Sequence, residues 1–187
     1  MTTGIAYDEH MSMRAARQRY FDVNGFDGSY SEKWVTLKAG PLTLRLPNAE
    51  GRKRAVRFHD LHHIITGYQT DWAGECEIGA YELGGGCGVF LWAWYLNLQA
   101  FLLWPFVAPR RAFDAFVRGR HARTLYYQGE FQDALLEQSV GDLRATLALD
   151  RPAPPARLGD VVAFAAWTLF SFAINLGPFI ALAWWLL

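Results

Sequence analysis

From Val161 to Leu187 the chain carries no charged side chain over 27 positions, and that run limits what the chain can fold into. At a rise of 1.5 Å per residue a helix of this length covers about 40 Å, more than the roughly 30 Å hydrocarbon core of a bilayer. Lipid offers no partner to an unpaired backbone group, so a single apolar segment crossing it has to be helical. The run therefore predicts a transmembrane anchor over residues 159–187 behind a domain over residues 1–158. Trp167, Trp184 and Trp185 suit the headgroup level, and Asn175, Gly177 and Pro178 mark a place for a bend. A hydrophobic content of 52% with 16% aromatic residues exceeds what a water-facing surface alone would carry.

A second apolar stretch, Gly88 to Ala108, is also uncharged. Arg110, Arg111, Arg118, Arg120 and Arg123 follow it and no Lys or Arg closely precedes it, so a spanning helix here would put the preceding residues outside the cell. The opening Met1 to Met13 contains Asp8 and Glu9 and no apolar core that could serve as an export signal. The stretch is accordingly expected to lie in the interface or to line a lipid groove, with Asn97, Gln99 and Pro105 in keeping with that setting. The same opening resembles no transit leader, which points to a bacterial cytoplasmic membrane with the domain on its cytoplasmic side. A formal net charge of zero leaves no electrostatic footprint for nucleic acid, and that class of partner is set aside. Cys76 and Cys87, the only two cysteines, lie about 16 Å apart if helical, too far for a disulfide.

The chemistry is concentrated in His59-Asp60-Leu61-His62-His63 and in Glu75, which follows after eleven intervening residues. The spacing predicts a helix over Arg52 to Ile65 that stops at Gly67, and a second over Trp72 to about Leu83 that begins behind Thr70 and Asp71. His59 and His63, at i and i+4, share one helix face. An antiparallel return brings Glu75 to the height of His63, so His59, Asp60, His63 and Glu75 can meet on one divalent ion. His62 is turned away from that pair and reads as a group supporting the ligands, and Glu82 lies on the Glu75 side, where it can hydrogen-bond a ligand or a substrate. Arg52, Arg54 and Arg57, with Lys53, open the first helix and are candidates for contacts to anionic lipid heads or a substrate carboxylate.

The pattern H-D-x-x-H, eleven residues, E resembles the zinc-binding signature of the ubiquinone (coenzyme Q) biosynthesis protein 4 family, matching it at His59, Asp60, His63 and Glu75. Arg118-Gly119-Arg120-His121-Ala122-Arg123-Thr124-Leu125, then Ala134 to Glu137 and Val140 to Leu147, resemble the closing region of that family. The resemblance covers roughly residues 50–150; the terminal apolar helix goes beyond it. It implies a mostly helical protein holding zinc beside a hydrophobic groove for polyprenylated quinone intermediates, working alongside other ubiquinone-biosynthesis proteins. The activity it implies is the oxidative decarboxylation that replaces the C1 carboxylate of a polyprenyl-benzoate head group with hydroxyl, and a non-catalytic scaffold with a structural metal is the alternative. Iron or manganese also suits a set with two oxygen donors.

Elsewhere, Met11 to Phe21 predicts a short basic helix, and Trp34 to Leu46 alternates around Ala39-Gly40-Pro41 as a small β-hairpin. Ala112 to Leu147 predicts one or two amphipathic helices broken near Gly129, and Pro152, Pro154 and Pro155 stiffen a linker into the last helix. The expected fold class is mainly α, a helical bundle carrying a metal-binding helical hairpin, a small N-terminal β-hairpin and a C-terminal transmembrane helix.

Overall fold

A computed structural model describes residues 6–26, 30–39 and 42–186, and within them the chain is mainly helical. Helix α1 (Met13–Asn24) starts on Ser12, whose hydroxyl accepts the Ala15 amide, and stops at Gly25 in the left-handed region. Strands β1 (Trp34–Ala39) and β2 (Leu42–Pro47) pair antiparallel, with Trp34 opposite Pro47 and Ala39 opposite Leu42. Gly40 and Pro41, on which the expected turn falls, lie outside the described residues.

Helix α2 (Glu50–Thr66) ends at Gly67, where a φ of 79° lets the chain turn back while the Gly67 amide closes the last turn on the His63 carbonyl. A side chain would strain that backbone, so glycine is the natural stop. Helix α3 (Trp72–Gly85) begins at Asp71, whose carboxylate accepts the Gly74 amide at 2.8 Å. Helix α4 (Leu91–Phe101) and the single turn α5 (Trp104–Val107) follow, then α6 (Pro109–Arg120), a 3₁₀ turn (Leu125–Gln128), and the short helices α7 (Ala134–Glu137) and α8 (Val140–Thr146). Helix α9 (Leu158–Leu186) closes the chain and runs on through Pro178.

Two expectations are corrected. The region Ala112 to Leu147, expected as one or two amphipathic helices broken near Gly129, is interrupted earlier: α6 stops at Arg120, and a loop with one 3₁₀ turn ending at Gly129 leads to two short helices. Its backbone is drawn into the core instead, with the Arg123 carbonyl accepting from Tyr81 and the Leu125 amide donating to His62. The basic helix expected at Met11 to Phe21 begins two residues later and extends to Asn24.

Helices α3 and α6 approach at backbone contact, and this depends on residues without side chains. A Cβ on Gly84 would lie 2.3 Å from the Phe116 carbonyl oxygen, and one on Gly119 only 2.1 Å from that of Tyr81. Tyr81, Phe116, Phe101 and Phe58 fill the interior around this contact.

Arg118 and Arg120 of the arginine-rich run, together with Arg144, make structural contacts. Arg118 donates to the Thr66 carbonyl at 3.1 Å and Arg144 to the Ile65 carbonyl at 2.8 Å, so two guanidinium groups meet the carbonyl end of α2 and its negative dipole. Arg120 pairs with Asp160 at 2.6 Å, joining α6 to the first turn of α9.

Among the described residues, α9 is the one helix long and apolar enough to cross a membrane. Gly88 to Ala108 is divided between α4 and α5, and the eleven residues of α4 reach only about 16 Å, short of a bilayer core. Cys76 and Cys87 are both buried free thiols.

Gly119→Ala is expected to force α3 and α6 apart and to destabilise the fold by about 1–3 kcal/mol, the range for overpacking a filled interior. Denaturant unfolding of the purified protein measures it, and an unchanged midpoint would contradict the close contact.

Candidate metal centre

Three side chains from the α2–α3 pair converge: ligand atoms of His59, His63 and Glu75 all lie within 4.8 Å of one another. His63 stands one turn before the end of α2 and Glu75 one turn after the start of α3, so the tight connection at Gly67 places them across from each other. The Nε2 atoms of the two histidines are 3.1 Å apart, and the Glu75 carboxylate stands 3.6 Å from His59 Nε2 and 3.5 Å from His63 Nε2.

The remaining hydrogen bonds determine what those nitrogens can do. His59 Nδ1 lies 3.0 Å from Glu82 Oε1, and His63 Nδ1 lies 3.0 Å from the Tyr68 carbonyl oxygen. Neither the Glu82 carboxylate nor the carbonyl can donate, so each ring gives its Nδ1 proton and both Nε2 atoms are left as bare acceptors facing each other. Two lone pairs at 3.1 Å repel unless a cation lies between them, either a proton or a metal. In a tetrahedral zinc site with Zn–N bonds near 2.05 Å, neighbouring donors are separated by about 3.3 Å. The two Nε2 atoms are separated by 3.1 Å, and the two oxygens of Glu75 lie one near each ring, Oε2 3.6 Å from His59 and Oε1 3.5 Å from His63, so the three residues could hold a divalent ion between them.

Behind the ligands, Glu82 is fully buried and holds four donors: His59 Nδ1 at 3.0 Å and His62 Nδ1 at 2.7 Å on one oxygen, Asn97 Nδ2 at 2.6 Å and Tyr126 Oη at 2.8 Å on the other. A carboxylate offers about four acceptor sites, and all are used. Burial opposes the charge of Glu82, but His59 and the hydrogen bonds from His59 and His62 outweigh it and hold this carboxyl far below the ordinary range. His62 is not a ligand: its Nε2 accepts the Leu125 amide at 2.8 Å, so its proton is on Nδ1. Both residues thus sit behind the ligands.

Burial works against the charged form of His59, yet Glu82 and Glu75 together raise its pKa well above 6.5. Burial and the neighbouring His59 charge push His63 down to about 4. Of the two rings, His59 is therefore the one that favours a proton.

The structure changes the expected role of Asp60. Its carboxylate accepts the Tyr30 hydroxyl at 2.6 Å, and Asp60 is not among the three residues whose ligand atoms converge. The cause is helical: a residue one step from His59 is rotated by about 100°. Burial raises Asp60 to about 6, although the Tyr30 hydrogen bond opposes this.

The three arginines also separate. Arg52 donates to Asn48 at 2.9 Å and lines the groove described below, Arg57 stacks over the rings of Tyr30 and Phe131, and Arg54 is exposed without a place in that groove. Asn97, Tyr126, Tyr30 and the Tyr68 carbonyl were not singled out as site residues from the sequence. For Asn97 a signal existed, since an amide in the middle of a charge-free apolar run needs a buried partner.

His59 and Glu75 open onto a groove of about 1200 Å³, walled by Tyr20, Tyr30, Trp72, Trp92, Leu96 and Leu103 among others. That exceeds the usual size of a small-molecule pocket, and its lining is mostly apolar. Comparison with family models, curated proteins and solved structures gives no match to this chain.

Two outcomes follow. Glu82→Gln should lower metal affinity about 10–100-fold, the usual effect of removing the partner of a ligating histidine; competition with a chromophoric chelator reads it. Because metal binding must displace the raised His59 proton, affinity for cobalt(II) should fall as pH decreases, beginning above the ordinary histidine range near 6.5, and a flat titration from pH 8 to 6 would contradict the assigned proton.

Proposed function

We propose that this chain is a membrane-associated metal protein that acts on a polyprenylated aromatic quinone precursor in ubiquinone biosynthesis, with oxidative decarboxylation at C1 as its reaction. The observation that carries this reading is the opening of a three-residue His, His, Glu group onto a large apolar groove. Three protein ligands with room for a fourth are the arrangement of catalytic sites, whereas structural sites are closed by four. The motif at His59, Asp60, His63 and Glu75, on which the family resemblance rests, supports the same reading.

In this reading His59 Nε2, His63 Nε2 and Glu75 hold the ion, and zinc is the identity the resemblance favours, with iron and manganese compatible with the donor set. When bound, the ion supplies Lewis acidity toward a carboxylate or phenolate of the head group. Glu82 fixes the His59 ring so that Nε2 stays aimed at the site, and Tyr68 does the same for His63 through its carbonyl. Arg52 lines the groove, and in this reading it is the cation that meets the anionic substituent. The apolar walls receive the prenyl chain and exclude water from the head group. The oxidant that the reaction requires comes from outside the chain, in keeping with partnership with other proteins of the pathway.

The scaffold alternative draws on the fact that the ligands come from two helices, so that an ion would clamp α2 to α3. Chelation separates the two readings: a clamp loses its fold with the ion, whereas an open site loses only its chemistry.

His63→Ala and Glu75→Ala should each remove the metal, measured by elemental analysis of purified protein, and cause the carboxylated precursor to accumulate in cells that rely on this chain, while the protein stays in the membrane fraction. Normal quinone levels in either variant would overturn the proposal.

A further inference from the structure

Helix α4 separates two environments. At helical spacing, Trp94, Leu98 and Phe101 meet α9: the rings of Trp94 and Trp167 stack 5.2 Å apart, the Leu98 carbonyl accepts from Ser171 at 2.7 Å and from Asn175 at 3.3 Å, and Phe101 meets the ring of Phe164. Trp92, Leu96, Gln99 and Leu103 line the groove that reaches the metal centre. A third set, Val89, Leu91, Phe106 and Val107 around α4 and α5, is exposed, and Tyr95 at the groove edge is half-exposed beside it.

This exposed set does not stand alone. The docked half of α9 also turns Val161, Val162, Leu169, Phe170 and Ile174 outward. Were that half of α9 only a strut against the domain, its outer side would be polar, as on a water-facing helix. Instead no charged residue occurs from Val161 through Asn175 or from Gly88 through Ala108. Five of the polar groups that these helices carry are turned inward: Ser171 and Asn175 serve Leu98, Asn97 serves Glu82, and the indole N–H groups of Trp94 and Trp104 are taken by the Gly88 carbonyl and Thr168, while Trp92, Tyr95 and Gln99 lie along the groove. Inward satisfaction of polar groups beneath an apolar exterior is what hydrocarbon demands and water does not. The charges return at the edges, with Arg110 and Asp114 exposed just after α5 and Asp160 held by Arg120 at the start of α9.

We propose that α4 and α5 are immersed in the same bilayer leaflet as the docked half of α9, so that the groove opens sideways into lipid. The occupant of the exposed α4–α5 face is the acyl-chain region of the membrane, continuous with the surface of α9. A prenylated molecule then reaches the metal centre along α4 from within the leaflet and never transfers its chain through water. This rests on the reading of α9 as membrane-inserted and of the groove as a site for an isoprenoid-bearing ligand.

The test uses the full chain reconstituted in phosphatidylcholine–phosphatidylglycerol vesicles. Single cysteines are introduced at exposed positions, Leu91→Cys on α4, Phe106→Cys on α5, Leu169→Cys on α9 and Ala145→Cys on α8, and spin-labelled while Cys76 and Cys87 stay buried. Collision with oxygen reports lipid and collision with a nickel chelate reports water. Labels at 91 and 106 should lose nickel collisions and gain oxygen collisions to the extent seen at 169, while the label at 145 stays aqueous. Aqueous labels at 91 and 106 with a lipid-exposed 169 would overturn the immersion of α4–α5 and leave the anchor intact. An aqueous label at 169 would overturn the insertion of α9 and this proposal with it, without touching the metal centre.

Discussion

A single buried carboxylate organises the interior. Glu82 on α3 receives donors from α2 through His59 and His62, from α4 through Asn97, and from the segment after α6 through Tyr126. An isolated carboxylate in such a place would cost several kcal/mol or take up a proton. With every acceptor site occupied it stays ionised, and the four segments are fixed to one another by charge-assisted hydrogen bonds with little tolerance for displacement. The orientation of the His59 ring follows from this network, and so does the direction in which its Nε2 points. The geometry of the candidate metal site is therefore a surface consequence of an interior electrostatic arrangement.

Two other devices keep that arrangement in place. Glycines at 84 and 119 let α3 and α6 approach at backbone contact, which sets the depth at which Glu82 sits. Arg118 and Arg144 hold the carbonyl end of α2 one turn beyond His63, where unpaired carbonyls would otherwise face the interior. Within the arginine-rich run, Arg118 is thus explained by helix-end chemistry and Arg120 by the anchoring of α9 through Asp160.

Much of the site was legible because its signals are local. Two histidines four residues apart share a helix face whatever surrounds them, Gly67 and Asp71 mark a stop and a start by backbone geometry and capping, and a short connection makes Glu75 face His63. Asp60 was read less well: adjacency to His59 in sequence suggested a shared ion, while Tyr30, thirty residues away, takes its carboxylate. Nothing local distinguishes a carboxylate free to bind a metal from one committed to a distant hydroxyl. The stretch after α6 was also misjudged, because its apolar spacing fits a helix although its backbone groups are needed by His62 and Tyr81.

The sequence by itself determined the long apolar helix at the end, the pairing of α2 with α3, and the approach of His59, His63 and Glu75, since each depends on helical periodicity, on capping or on an uninterrupted absence of charge. It also set Asp60 beside those three as a fourth ligand, which the fold does not bear out. Only the tertiary structure decided which ring nitrogens are bare, that Asp60 is engaged elsewhere, and that α4 stands between the groove and α9. Those outcomes depend on partners brought together across long separations along the chain, where burial makes every unpaired donor and acceptor expensive and so selects one arrangement that no local pattern encodes.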